Sequence, residues 1–251
     1  MRDNLRWPRA LVWAVAAAGI TSCGSTRPRT DSTTSPSFES ELSGVVRLAN
    51  DCSGVLVRPD VVLSAAHCFV NDHVLPDVFV RRHRYAIASC AVHPGAFSSP
   101  RRDCLGQDSQ LNVAHDLAVL RLREPVDRAE ASPLPVLLDF EPEDQWEGRS
   151  IFLAGWSRFP AWIGAARLDS GWNVAQSLRG GVLRTAPASD DETAFGSRFG
   201  NSGGPALVAI RNEPWVAGVL SSSSSAQGLD SMFAATFDPD NAAWLREHLD
   251  Y

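Results

Sequence analysis

The chain has 251 residues, 44% of them hydrophobic, which is ample apolar material for a core. A formal net charge of −6 and the lack of any dense basic patch argue against nucleic acid as a partner. All 23 basic residues are arginine, a compositional bias to which no function attaches.

In chain order, Arg2, Arg6 and Arg9 make a basic start ahead of the apolar run Ala10–Ile20. That run is too short to cross a bilayer as a helix and has the layout of a secretory signal, residues 1–22. Ile20-Thr21-Ser22-Cys23 resembles a relaxed bacterial lipobox, whose cleavage leaves Cys23 as an acylated N-terminal residue. An ordinary signal peptide cut nearby is the other reading. The following stretch, to residue 43, is rich in Ser, Thr and Pro with few apolar side chains. It cannot bury enough surface to offset ordering entropy, so residues 23–43 are expected to be a lipidated cysteine and a flexible tether. The expected location is the envelope of a bacterial cell, exported and lipid-anchored at the periplasmic face or the surface, otherwise secreted. Five cysteines leave one over in an exported protein, and Cys23 is the natural odd one.

Residues 44–251 read as one domain of short apolar runs broken by turn residues. The expected strands are Ser53–Val57, Val61–Ser64, Tyr85–Val92, Leu117–Leu122, Ile151–Gly155, Ala206–Ile210, Val216–Leu220 and Met232–Thr236. Asn241–Leu249 places Trp244, Leu245 and Leu249 at helical spacing behind Asp238-Pro239, a plausible helix start. The pattern suggests an all-β barrel or sandwich without internal repeats.

Three hexamers carry the chemistry. Leu63-Ser64-Ala65-Ala66-His67-Cys68 offers a histidine beside a cysteine, and His115-Asp116-Leu117-Ala118-Val119-Leu120 an aspartate at the mouth of an apolar run. Gly200-Asn201-Ser202-Gly203-Gly204-Pro205 offers a serine among glycines. Alone, each has a bland reading: a core histidine, an ordinary strand-start aspartate, a glycine-rich turn. Together they supply a nucleophile, a base to take its proton and a carboxylate to hold the base's tautomer. His73, His83, His93, His115 and His248 fall into no metal-ligand spacing, so neither metal nor cofactor is expected.

In that order and at those intervals the motifs resemble those of the trypsin/chymotrypsin-like serine peptidases, and the likeness covers the chain from about Gly44 onward. It implies two antiparallel six-stranded β-barrels with the active site between them and a closing C-terminal helix. His67 becomes general base and acid, Asp116 its orienter and Ser202 the nucleophile. The backbone N–H groups of Gly200 and Ser202 become the oxyanion hole. The resemblance pairs Cys52 with Cys68; Cys90 and Cys104 remain as a second candidate bridge whose connectivity sequence cannot fix. The implied activity is a serine endopeptidase acting on protein or peptide substrates, expected as a monomer. A catalytically silent binding module of the same fold is the alternative. An esterase of the α/β-hydrolase type is excluded by the His, Asp, Ser order and the strand-rich pattern.

Departures from the family pattern carry information too. Asn201 stands where most relatives have the aspartate that pairs with a new N-terminal ammonium after zymogen cleavage. No Ile-Val-Gly-Gly-like segment lies upstream of Cys52. Both halves of that switch are missing, which implies activity without N-terminal processing. Gly196 occupies the base of the implied specificity pocket, with Ser197 beside it, so no carboxylate is there to select a basic residue. Ser221, Ser222 and Ser223 replace the usual Ser-Trp-Gly wall, and Arg198 replaces a cysteine. A small or apolar residue before the scissile bond is expected, with Arg198 and Arg211 as cations for an acidic alternative.

Overall fold

The computed structural model describes residues 38–70, 74–99, 104, 110–139, 145–157, 166–188, 194–223 and 230–250. They lie in one unit, Pro36–Tyr251. The signal segment, Cys23, most of the tether and Ser224–Ser225 lie outside the described residues.

The chain runs β1 (Val45–Leu48), β2 (Ser53–Arg58), β3 (Val61–Ser64), β4 (Val78–Val80), β5 (His83–Tyr85), β6 (Ile87–Val92) and β7 (Ala118–Leu122). It continues with β8 (Ser150–Ser157), β9 (Arg167–Arg179), β10 (Val182–Ala186), β11 (Pro205–Ile210), β12 (Glu213–Ser223), β13 (Ser231–Ala235) and α1 (Pro239–Leu249). All strand pairing in the two sheets is antiparallel. This is the all-β architecture that the sequence implied.

The first sheet has the order β5-β4-β1-β2-β3-β7-β6. Its two end strands are separated by the single residue Ala86, so the backbone itself carries the sheet from one end to the other. No pairing joins β5 to β6 among the described residues, so this first sheet is a half-barrel of seven strands. The second sheet is a closed barrel, β10-β13-β12-β11-β8-β9.

Pattern explains most elements. β2 and β3 are buried over nearly their whole length, so they read as continuous Val/Leu runs. Val61, Val62 and Leu63 are each 0% exposed, worth roughly 1.5–3 kcal/mol apiece in apolar burial. The β11–β12 hairpin turns through Arg211 and Asn212, both at positive φ (53° and 66°), the twist a two-residue hairpin turn requires. In α1, Asp238 caps the N-terminus by accepting from Asp240 N at 3.2 Å and Asn241 N at 3.5 Å, and Pro239 occupies the first turn.

Five strands were not expected from sequence: β1, β4, β5, β9 and β10. β9 shows why. Its inward positions are Gly171, Asn173, Ala175 and Leu178, so small and polar residues blur the period-2 signal. Inward Asn173 is satisfied by the Phe195 backbone, giving to its carbonyl (3.2 Å) and accepting from its N–H (3.0 Å).

Candidate active site

His67 sits in a 3-10 turn, Ala66–Phe69, directly after β3. Its neighbour Cys68 is bonded to Cys52, with the two Cα atoms 6.2 Å apart, which ties this turn to the start of β2. Cys90 and Cys104 form the second disulfide. Asp116 ends another 3-10 turn, Val113–His115, which Asn112 caps by accepting from Ala114 N at 3.3 Å.

These turns bring base and carboxylate together. Asp116 is 0% exposed. Its Oδ1 accepts from His67 N at 2.9 Å, and its Oδ2 accepts from His67 Nδ1 at 2.6 Å. An ionised carboxylate can only accept, so Nδ1 carries the proton and Nε2 is left as the basic nitrogen. The imidazole is held above its ordinary pKa of 6.5. Burial is the largest single influence and pushes it down, but the hydrogen bond to Asp116 and that residue's charge together outweigh it.

A third donor reaches the same carboxylate. Ser221, 4% exposed, gives its hydroxyl to Asp116 Oδ2 at 2.6 Å. Sequence reasoning placed Ser221 in the pocket wall and missed this role, because a serine within a serine run has no signature of its own. Ser221–Ser223 belong to β12.

Ser202 lies in the turn between Gly200 and Gly204, half-buried. Gly203 has φ +83°, and a Cβ there would collide with Ser53 O and Ser64 Oγ, so only glycine fits. The backbone donors of this turn divide into two sets. Asn201 N gives to Arg198 O (3.0 Å), Gly203 N to Leu220 O (2.8 Å) and Gly204 N to Asn201 O (2.8 Å). The N–H groups of Gly200 and Ser202 have no acceptor among the described residues.

Two buried serines hold this turn to the first sheet. Ser53 N gives to Ser202 O at 2.7 Å and Ser53 Oγ to Gly200 O at 2.7 Å, while Ser64 Oγ gives to Ser53 O at 2.7 Å. Ser53 adjoins Cys52, and Ser64 lies three residues before His67. Gly203 bonds Leu220, the neighbour of Ser221, which bonds Asp116. The three motifs are thus joined in one network. No hydrogen bond joins Ser202 Oγ to His67 Nε2 among the described residues; such nucleophile–base bonds are commonly long until substrate is in place.

Asn201 is 0% exposed. Its Oδ1 accepts from Arg198 N at 2.6 Å, and its Nδ2 has no partner among the described residues. A neutral amide serves this position without the cost of a buried unpaired carboxylate.

Around the implied pocket the structure separates the expected residues. Gly196 lines a polar cavity of about 450 Å³ with Phe195, Arg198, Arg167 and Asp169. Ser197 adjoins it in sequence, whereas Ser221, Ser222 and Ser223 do not line it. Arg198 pairs with Asp169 at 3.5 Å. Arg211, considered as a cation for an acidic substrate residue, stands at the β11–β12 turn and borders a different cavity. That cavity, of about 900 Å³ between Pro135–Asp139 and Trp215, is larger but contains no residue of the three motifs. The atoms Cys52 Sγ, Cys68 Sγ and His67 Nε2 or Nδ1 lie close enough for a metal, but both sulfurs are committed to each other.

Comparison with known proteins agrees with this frame. Kallikrein-1E2 of Equus caballus is 30% identical over 114 residues, 42% of this chain and 41% of that protein. A glandular kallikrein of Sus scrofa is 32% identical over 115 residues, 42% of this chain and 44% of that protein. The chain thus matches less than half the length of these curated relatives. A structure of human heparin binding protein superposes with TM-score 0.60 at 18% identity, covering 84% of this chain and 91% of that one. An atomic-resolution structure of HBP gives 0.62 at 16%, covering 84% and 93%. At such identities these structures show the fold alone. The family model described as Trypsin matches residues 29–244, and the chain belongs to that family.

Proposed function

We propose that the protein is a serine endopeptidase working through an acyl-enzyme, with Ser202 as nucleophile, His67 as general base and acid and Asp116 as orienter. Ser202 Oγ attacks the peptide carbonyl while its proton passes to His67 Nε2. The resulting oxyanion accepts hydrogen bonds from Gly200 N–H and Ser202 N–H. His67 then returns the proton to the departing amine, and a water deprotonated by His67 cleaves the ester and regenerates Ser202. The observation that carries this reading is the pair of uncommitted N–H groups at Gly200 and Ser202, while those of Asn201, Gly203 and Gly204 are spent on backbone carbonyls. Losing one such donor costs about 2.7–4 kcal/mol of barrier in acyl transfer.

The site is active without cleavage at its N-terminus. This reading draws support from Asn201, whose amide bonds its own turn and so needs no inserted ammonium. An inert full-length chain that gains activity only after a cut near Gly44 would contradict it. Phe38 and Leu42 are buried in the core and Glu39–Gly44 is a 3-10 helix, so the last residues of the expected tether are part of the folded domain and not flexible. Residues 38–251 form the peptidase domain, with residues 1–22 as the signal and 23–37 as the lipid tether. Cys23→Ser should therefore release the protein from membranes while its activity stays unchanged; persistent membrane association would remove the lipid assignment.

The test of the chemistry is hydrolysis of a mixed peptide library by the wild-type chain and by Ser202→Ala. Cleavage by the first and not the second is expected. No cleavage by either folded protein would favour the silent binding module, to which the replaced Ser222 and Ser223 also lend support.

A further inference from the structure

Asn241 is fully buried in α1 and makes no hydrogen bond to His67, Asp116 or Ser202. Its Nδ2 gives to Ala114 O at 2.7 Å and to Ala235 O at 2.8 Å. Carbonyl oxygens only accept, so the amide can face one way, with its Oδ1 toward His115 Nδ1 at 2.7 Å. That ring nitrogen therefore carries a proton. Three hydrogen bonds occupy one side chain, and each partner matters for its address. Ala114 and His115 belong to the turn that ends at Asp116, while Ala235 closes β13 of the second barrel.

The turn is closed by local bonds: His115 N to Asn112 O at 3.1 Å, Ala114 N to Asn112 Oδ1 at 3.3 Å, Asp116 N to Val113 O at 3.5 Å and Leu117 N to His115 O at 2.8 Å. None of these four reaches the second barrel; the bond of Asn241 to Ala235 O does. His115 is packed on its face by His93, the ring centroids 4.6 Å apart and nearly parallel. His93 in turn accepts from Gly95 N at 3.0 Å and packs edge-on against Trp244 of α1. Stacking limits the tilt of His115; the three bonds of Asn241 fix where the turn sits.

We propose that Asn241 is a positioning residue for Asp116, locking the turn that presents the carboxylate to both barrels at once. The inference rests on the reading of Asp116 as the orienter of His67. Loss of the lock lets Asp116 drift, which weakens both the bond and the charge that raise the His67 imidazole.

The experiment compares Asn241→Ala with Leu245→Ala, a large-to-small change at a buried apolar residue of the same helix that takes part in none of these hydrogen bonds. NMR titration of the His67 ring and steady-state kinetics are read on both. Asn241→Ala should lower the His67 pKa and reduce kcat roughly 10- to 100-fold with KM nearly constant. Leu245→Ala should lower the melting temperature and leave the His67 pKa in place. A folded Asn241→Ala with unchanged His67 titration and kcat overturns the proposal, as does an equal shift in Leu245→Ala. If Asn241→Ala does not fold, His115→Leu removes one of the three bonds together with the His93 stack and leaves the two bonds from Asn241 Nδ2; a shift in the same direction is expected, and no shift overturns the proposal. If the wild type hydrolyses no peptide, the titration still decides the positioning role while the peptidase reading fails by itself.

Discussion

The two halves of the domain serve the site by opposite means. The first contributes side chains, His67 and Asp116, and secures them with local turns and both disulfides. The second contributes the proposed nucleophile, Ser202, and the two N–H groups proposed as oxyanion donors, has no cysteine, and is secured by a barrel closed through hydrogen bonds. A side chain can be turned to its target by rotamer choice once its Cα is roughly placed. A backbone donor cannot: its direction is set by φ and ψ alone, so its frame must be closed and its glycines irreplaceable. Each half also reaches into the other, through Ser53 to Ser202 and through Ser221 to Asp116.

The largest expected effect tests the side-chain half. Asp116→Asn should cost on the order of 10⁴-fold in turnover, because the amide can donate to His67 and so favours the wrong tautomer. The pH profile sharpens the same point. The base must be neutral, and its pKa is raised, so wild-type activity should fall as pH drops through a value above 6.5. Asp116→Asn removes both raising influences and leaves burial, so the acid limb should move below 6.5. A limb that stays in place would mean another group sets it.

Next comes the backbone half. Gly203→Ala forces a side chain into positive φ against Ser53 O and Ser64 Oγ. Thermal or denaturant unfolding should show a loss above about 3 kcal/mol, because neither neighbour can retreat without releasing the turn. Retained stability would mean the turn is looser than its contacts imply. Replacing Cys52 and Cys68 together by serine should cost about 3 kcal/mol, the chain-entropy value for a separation of 16 residues. The smallest effect belongs to the cross-link between the halves. Ser221→Ala should reduce kcat roughly tenfold, since a hydrogen bond to a charged group is worth about 1.5–3 kcal/mol. An unchanged kcat would show that His67 alone suffices to hold Asp116.

Legibility in the sequence followed the same division. The approach of His67 to Asp116 is readable because short motifs of particular residue types carry both residues. β2, β3 and β7 are readable because continuous burial leaves unbroken Val/Leu/Ala runs. β9 is not, since its inward side carries Gly171 and Asn173. Ser53, Ser64, Ser221 and Asn241 are equally silent. Each is a common polar residue whose importance comes from what it bonds and not from its type: Ser221 reaches Asp116, 105 residues away, and Ser53 reaches Gly200, 147 residues away. The likeness to a family supplied the pairing of Cys52 with Cys68, which spacing alone left open. The pocket was least legible, because Gly196 and the Ser221–Ser223 strand carry no side chain whose type names a substrate.

The account turns on a site that is assembled in the intact chain, and a fluorophosphonate probe reads this directly. Ser202 Oγ would displace fluoride from phosphorus while its proton leaves through His67, adding a fixed mass to the protein. Intact-mass analysis of the full chain, with no prior proteolysis, should show one adduct on the wild type and none on Ser202→Ala. A folded, disulfide-bonded protein that gains no adduct, or a Ser202→Ala variant that still gains one, would contradict the account.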